Sequence, residues 1–215
     1  MKRILTLALL ATLANIASAF GFDDITYWAG TGANRSALVL DWNDDGEPQS
    51  LAWGYRWYGS ATGEDMFKAI VSSDPLLFSK VKSFSFGLGI LGIGYDTDGD
   101  GLPLSDGTSW PSDGLLFTEP SDGAVALDAG DRYAEGWNTG FYSYWLSSGA
   151  TLDVWAEAQT GVSGRFLEND SWDGLSFAPG FMGSIPDEPV AAPEPCSLLV
   201  TLGLALLVRK RRESH

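Results

Sequence analysis

Cys196 is the only cysteine among the 215 residues, so no intrachain disulfide can close a loop anywhere in this chain. Whatever it folds into must hold by packing alone, and thiolate-ligated metal sites are set aside with the disulfides. The material for packing lies between residues 20 and 185. A body of roughly 170 residues can bury a substantial single core, and all nine tryptophans fall within it.

Both ends of the chain are apolar. Lys2 and Arg3 precede the apolar run 4–13, and Ala17-Ser18-Ala19 supplies small residues before Phe20. This is the layout of a secretory signal peptide over residues 1–19, with signal peptidase cutting after Ala19. At the other end Cys196 to Val208 is 13 residues without a charge. That is about 20 Å as a helix, short of the roughly 20 residues of a full span. Arg209, Lys210, Arg211 and Arg212 follow it and would stay on the cytoplasmic face by the positive-inside rule. The two ends agree on a topology in which the body is exported and the tail is a transmembrane, stop-transfer anchor.

Pro193-Glu194-Pro195, the apolar stretch and the terminal basic cluster together resemble the PEP-CTERM sorting signal of exopolysaccharide-producing Gram-negative bacteria, also labelled an ice-binding protein C-terminal domain. The resemblance covers about 23 residues. It implies an exosortase-type membrane protease that recognises Pro193, Glu194 and Pro195 and removes residues 196–215, an address absent from the mature protein, in parallel with a GPI signal. Cys196 departs from the usual Ser or Ala. The localisation implied is an inner-membrane-anchored precursor, then cell envelope or extracellular matrix, beside exopolysaccharide.

Charge narrows the partners. Of 13 Lys and Arg, two lie in the signal and four in the tail, leaving seven in the body against 27 of the 28 acidic residues. The body therefore carries about −20, which repels nucleic acid and anionic lipid and favours cations. The only histidine is His215. Within the tail to be removed, it leaves the body without Ser-His-Asp, Cys-His or His-zinc chemistry. No catalytic residues are assigned and the chain is read as non-enzymatic. The alternative is a glycoside hydrolase using paired carboxylates, such as Asp41 with Glu64 or Asp153 with Glu157.

The body reads as strands with one helix: an α+β fold, mostly antiparallel β, with one amphipathic helix packed on the sheet; the alternative is an all-β sandwich. SALVLDW (36–42) and SLAWGYRW (50–57) flank Asp45-Gly46 and predict a hairpin. Thr62 is the expected N-cap, Glu64 and Asp65 suit the first turn, and Met66, Phe67, Ala69 and Ile70 follow at helical spacing. A short turn is expected at 76–81, and a strand or glycine hairpin at 84–95. Residues 96–131 form a long polar stretch, of a length that is more often functional or disordered, with 115–117 its apolar island. Short strands follow at 140–148, 151–158, 164–169 and 171–179. Residues 186–195 are a proline-rich linker lifting the body off the membrane.

The order of hairpin, helix and later Tyr144-Trp145, with Gly161 and Asp173-Gly174 near the end, is similar to the β-grasp-related C-terminal domain of transcobalamin and intrinsic factor. Phe166 and Leu175 stand where that family has Tyr and a second Asp. The likeness implies a fold only.

Two site expectations follow. Asp96, Asp98 and Asp100 with Gly101 have the spacing of the first half of an EF-hand loop. Gly107 stands where the bidentate Glu belongs, so a Ca²⁺ loop of another kind is expected, closed by Asp106 or Asp113, against a plain solvated acidic turn. Trp53, Tyr55 and Trp57 share one face of a strand. Exposed, they would stack on sugar rings and make a carbohydrate- or small-molecule-binding module; buried, they are core.

Overall fold

The computed structural model of the protein describes residues 19–44, 46 and 48–194. Ala17, Asp45, Pro195, the apolar run 196–208 and the basic cluster Arg209, Lys210, Arg211 and Arg212 lie outside the described residues. Among the described residues no helix is long and apolar enough to cross a membrane.

After β1 (Trp28–Gly30), the expected hairpin forms from β2 (Asn34–Asp41) and β3 (Ser50–Trp57), antiparallel with Leu38 opposite Trp53. α1 (Gly63–Ser73) starts where the sequence places it. Thr62 Oγ1 accepts the Asp65 N–H at 3.1 Å and Asp65 Oδ2 accepts the Thr62 N–H at 2.8 Å, a reciprocal cap worth about 1 kcal/mol. Its buried stripe is Met66, Phe67, Ile70 and Val71, with Val71 rather than Ala69 completing it.

The turn expected at 76–81 is instead the start of β4 (Leu77–Phe84). Asp74 ends the helix by accepting the Leu76 N–H at 3.0 Å, and the chain is extended within three residues. Lys80 hid this strand, because a lysine at a buried position breaks the apolar alternation that marks one. β4 pairs antiparallel with β5 (Gly87–Tyr95), with a bulge between Lys80 and Val81. β6 (Leu115–Phe117), β7 (Arg132–Glu135), β8 (Gly140–Ser148), β9 (Ala156–Glu157), β10 (Ser171–Pro179) and β11 (Val190–Ala191) follow. The 151–158 strand shrinks to β9, and 164–169 carries only an isolated bridge from Phe166 to Thr62.

The fold is β-rich, in two mixed sheets. The first runs β1-β3-β2-β10-β8-β9, with β11 also on β3; the second runs β6-β4-β5-β7. Most of the strand pairing is antiparallel, as expected, but the centre of the first sheet is not. There β2 and β10 run parallel over six residues, Ser171 beside Ser36 through Ser176 beside Asp41, and β1 and β11 also join β3 in parallel. β8 and β10 are antiparallel, with Trp145 opposite Gly174.

β2 is covered on both faces, which is why it reads as an unbroken apolar run. Leu38 and Leu40 belong to the main core, with Trp42, Trp53, the α1 stripe, Leu77, Val81, Ile93 and Leu175. Ala37 and Val39 meet Phe22, Ala52 and Trp172 on the opposite face. The polar stretch 96–131 is not structureless: Leu102, Leu104 and Ala124 form a third cluster with Phe78, Trp110 and Tyr133 against it. The two arms of this excursion bond through Ser105 N–H to Val125 C=O and Leu127 N–H to Pro103 C=O, both 2.9 Å.

The segment expected as a linker is docked on the domain as far as Ala192. β11 pairs with Leu51 and Ala52. The Ala192 N–H donates to the Ala52 carbonyl at 2.9 Å, and Thr26 Oγ1 donates to the Ala192 carbonyl at 2.7 Å.

Candidate functional site

β5 ends at Tyr95 and delivers Asp96 into the interior, where it is 3% exposed. Its Oδ1 accepts the Gly99 N–H and its Oδ2 the Gly101 N–H, both at 2.7 Å. Gly99 and Gly101 have φ of 81° and 115°, a region in which L side chains are strained. The first task of the Asp-Thr-Asp-Gly-Asp-Gly spacing is therefore to wind a tight loop around one buried carboxylate. That loop presents Asp98 and Asp100 outward, and the end of the excursion returns Asp128 and Asp131 beside them. Carboxylate oxygens of Asp96, Asp98 and Asp131 lie within 4.8 Å of one another, as do those of Asp98, Asp100 and Asp128. Asp98 belongs to both triads.

The other two expected ligands are elsewhere. Asp106 pairs with Lys80 Nζ at 2.6 Å and accepts the Thr108 N–H at 2.9 Å. Partial burial opposes ionisation, but those donors prevail and hold its pKa at about 2. Asp113 accepts the Leu115 N–H at 3.2 Å, at the start of β6. Both are committed to the backbone or to an ion pair, and Asp128 and Asp131 stand in their place. Sequence spacing pointed to 106 and 113 as the next acids along the chain, whereas the partners come from the far arm of the excursion, some 30 residues on.

The corner is electrostatically frustrated. Burial, followed by the repulsion of Asp96, Asp128 and Asp98, pushes Asp131 up to about 6 against the bond from the Thr97 N–H. Asp98 raises Asp100 in the same way. Hard oxygen ligands that repel one another are what a divalent cation neutralises. Without a bidentate Glu, affinity in the range of extracellular modules is expected, Kd about 10⁻⁴–10⁻³ M. At about 10 mM Ca²⁺ this stabilises the fold by about 1.4–2.7 kcal/mol, a rise in Tm of about 3–10 °C for a domain of this size. Thermal unfolding of wild type and of Asp98→Asn, with Ca²⁺ or with chelator, checks it. An unmoved wild type, or an equal shift in Asp98→Asn, rejects the cation.

Beside this corner, between the 44–51 connection, the start of β7 and β11, is a cavity of about 650 Å³. Tyr95 and Asp131 both line it, and the Tyr95 hydroxyl and Asp131 Oδ2 have no hydrogen-bond partner among the described residues. Burial is the chief reason the Tyr95 phenol is held well above its ordinary pKa.

The aromatic row is core rather than a ligand face. Trp53 is fully buried, with its indole N–H on Asp74 Oδ2 at 2.7 Å, Trp57 is buried, and half-buried Tyr55 stacks on Trp57 at 5.7 Å. Trp53 is buried because α1 and the second sheet cover its face of β3. Exposed rings include Tyr58, just past β3, and Phe86 and Trp137, which stack on either side of half-buried Phe84 at 5.0 and 5.2 Å.

Several buried polar groups had no sequence signal. Lys80 is held by Glu135 at 2.9 Å as well as by Asp106. Asp173, fully buried, bonds the Tyr144 hydroxyl and lies 3.6 Å from Arg165 Nε, and burial pushes its pKa up to about 6. Of the carboxylates weighed for hydrolysis, Asp41 holds the N–H groups of Asn43 and Asp187, and Glu64 pairs with Lys68. Asp153 and Glu157 are both exposed.

Compared with protein-family models, with curated proteins and with solved structures, the chain matches none.

Proposed function

We propose that this chain is an exported, non-enzymatic protein of the cell envelope or extracellular matrix, stabilised by Ca²⁺ in the Asp96–Asp131 corner and processed at both ends. Signal peptidase cuts after Ala19, an exosortase-type protease acts at Pro193-Glu194-Pro195, and the released acidic body lies beside exopolysaccharide. The reading takes the fold as α+β, because α1 completes the core between the sheets. It keeps the transcobalamin-like resemblance as a likeness of fold alone.

One observation supports it above the others: the described body is packed up to both expected cuts. The Phe20 carbonyl accepts the Leu152 N–H at 2.8 Å and its ring meets Trp172 edge-on. At the other end Ala192 is fully buried and bonded, one residue before Pro193. Among the described residues the core clusters run from Phe20 to Ala192, between the two expected cuts. Determining both termini of the mature protein tests the proposal. A chain beginning at Phe20 and lacking residues 196–215 supports it, and an unprocessed chain refutes it.

A further inference from the structure

The cavity beside the acidic corner has the chemistry of a binding site of its own. Its single cation is already spent. Arg132 Nε donates to Asp44 Oδ2 at 3.2 Å, its Nη atoms donate to Asp44 and to the carbonyls of Pro48 and Gln49, and its guanidinium lies over the Trp42 ring. With its charge matched by Asp44 and four of its five N–H groups engaged, it offers little to an anionic ligand. Among the described residues the groups left unpartnered are Asp131 Oδ2, an acceptor, and the hydroxyl of Tyr95, which can donate or accept and belongs to a residue only 4% exposed. Asp96, Asp98 and Asp128 add negative charge nearby, while Leu51 and Val190 supply apolar wall.

A buried polar group without a partner costs free energy, and a carboxylate among other carboxylates costs more. A ligand that relieves both brings a positive donor to Asp131, an acceptor or second donor to Tyr95, and an aliphatic body to the wall. A bare metal ion satisfies the first condition and leaves about 650 Å³ unfilled. A neutral diol satisfies the second and leaves the charge uncompensated.

We propose that this cavity binds a small organic cation, a primary ammonium group on an aliphatic or sugar body, with the ammonium on Asp131 Oδ2 and Tyr95. It goes beyond the export and calcium readings and stands without either of them.

The test is calorimetric titration of the purified chain in chelator, so that no divalent cation contributes. The probes are 1,4-diaminobutane and glucosamine, with 1,4-butanediol and glucose as neutral counterparts. Binding of at least one amine is expected, at least tenfold tighter than its neutral counterpart. Preference for the diamine identifies a polyamine-type source, and preference for glucosamine an amino sugar. Asp131→Asn is expected to weaken binding at least tenfold and Tyr95→Phe about three- to tenfold, while Glu168→Gln, exposed and outside the cavity lining, leaves it unchanged. Ala129→Trp, on an exposed residue of the cavity lining, blocks the site without touching either polar group and serves if a core variant fails to fold. Equal binding of amine and neutral counterpart, full binding by Asp131→Asn or Ala129→Trp, or no binding by wild type would each overturn the proposal.

Discussion

Replacing Lys80 with methionine is expected to lower the unfolding free energy by about 3–5 kcal/mol. The side chain is 2% exposed and its ammonium lies 2.9 Å from Glu135 Oε2, a carboxylate 1% exposed, and 2.6 Å from Asp106 Oδ2. Taking the cation away leaves Glu135 buried with neutral donors only, the Tyr133 hydroxyl at 2.6 Å and the Ala124 N–H at 3.0 Å. The penalty of an uncompensated buried charge is much larger than the net worth of the pair. The double variant Lys80→Met with Glu135→Gln should therefore recover most of the loss. Asp106→Asn should cost far less, because its side chain is 37% exposed and water screens it. Urea unfolding at constant m-value measures all three. A Lys80→Met protein within about 1 kcal/mol of wild type would show that the buried network does not hold the 96–131 excursion to the second sheet.

Trp53→Ala is expected to cost a similar amount, about 3–5 kcal/mol. Its indole is fully buried in the main core, edge-on to Tyr95 with centroids 6.0 Å apart. Truncation opens a cavity there and also strips Asp74 Oδ2 of its donor, in a carboxylate whose pKa burial already raises. Trp53→Phe keeps most of the packing and loses the hydrogen bond, so it should fall between alanine and wild type. The same experiment separates the two roles once open for this ring. A sugar platform would lose glycan binding on truncation and keep its stability; a core residue does the reverse, and that is the expected result.

The elements readable from sequence were those whose cause is local. The β2–β3 hairpin follows from two apolar runs around one turn, and α1 from Thr62, Asp65 and the stripe beginning at Met66. What escaped depends on partners far along the chain. β4 was obscured by Lys80, whose burial makes sense only beside Glu135, 55 residues away. The parallel pairing of β2 with β10 joins residues about 135 apart, and no alternation pattern encodes which strand will be the neighbour. The acidic corner was half legible for the same reason. Asp96, Asp98 and Asp100 are spaced as ligands within six residues, while Asp128 and Asp131 are brought back by a fold of the excursion that Leu104 and Ala126 close. The burial of Trp53 depends on α1 and the second sheet covering its face of β3, which the hairpin alone left open.

If the folded body is a processed, exported product, the intact mass of the protein purified from the cells that make it will show it. A chain whose first residue is Phe20 and whose mass excludes residues 196–215, recovered outside the cytoplasm, is expected. A cytosolic protein retaining both Met1 and His215 would contradict it.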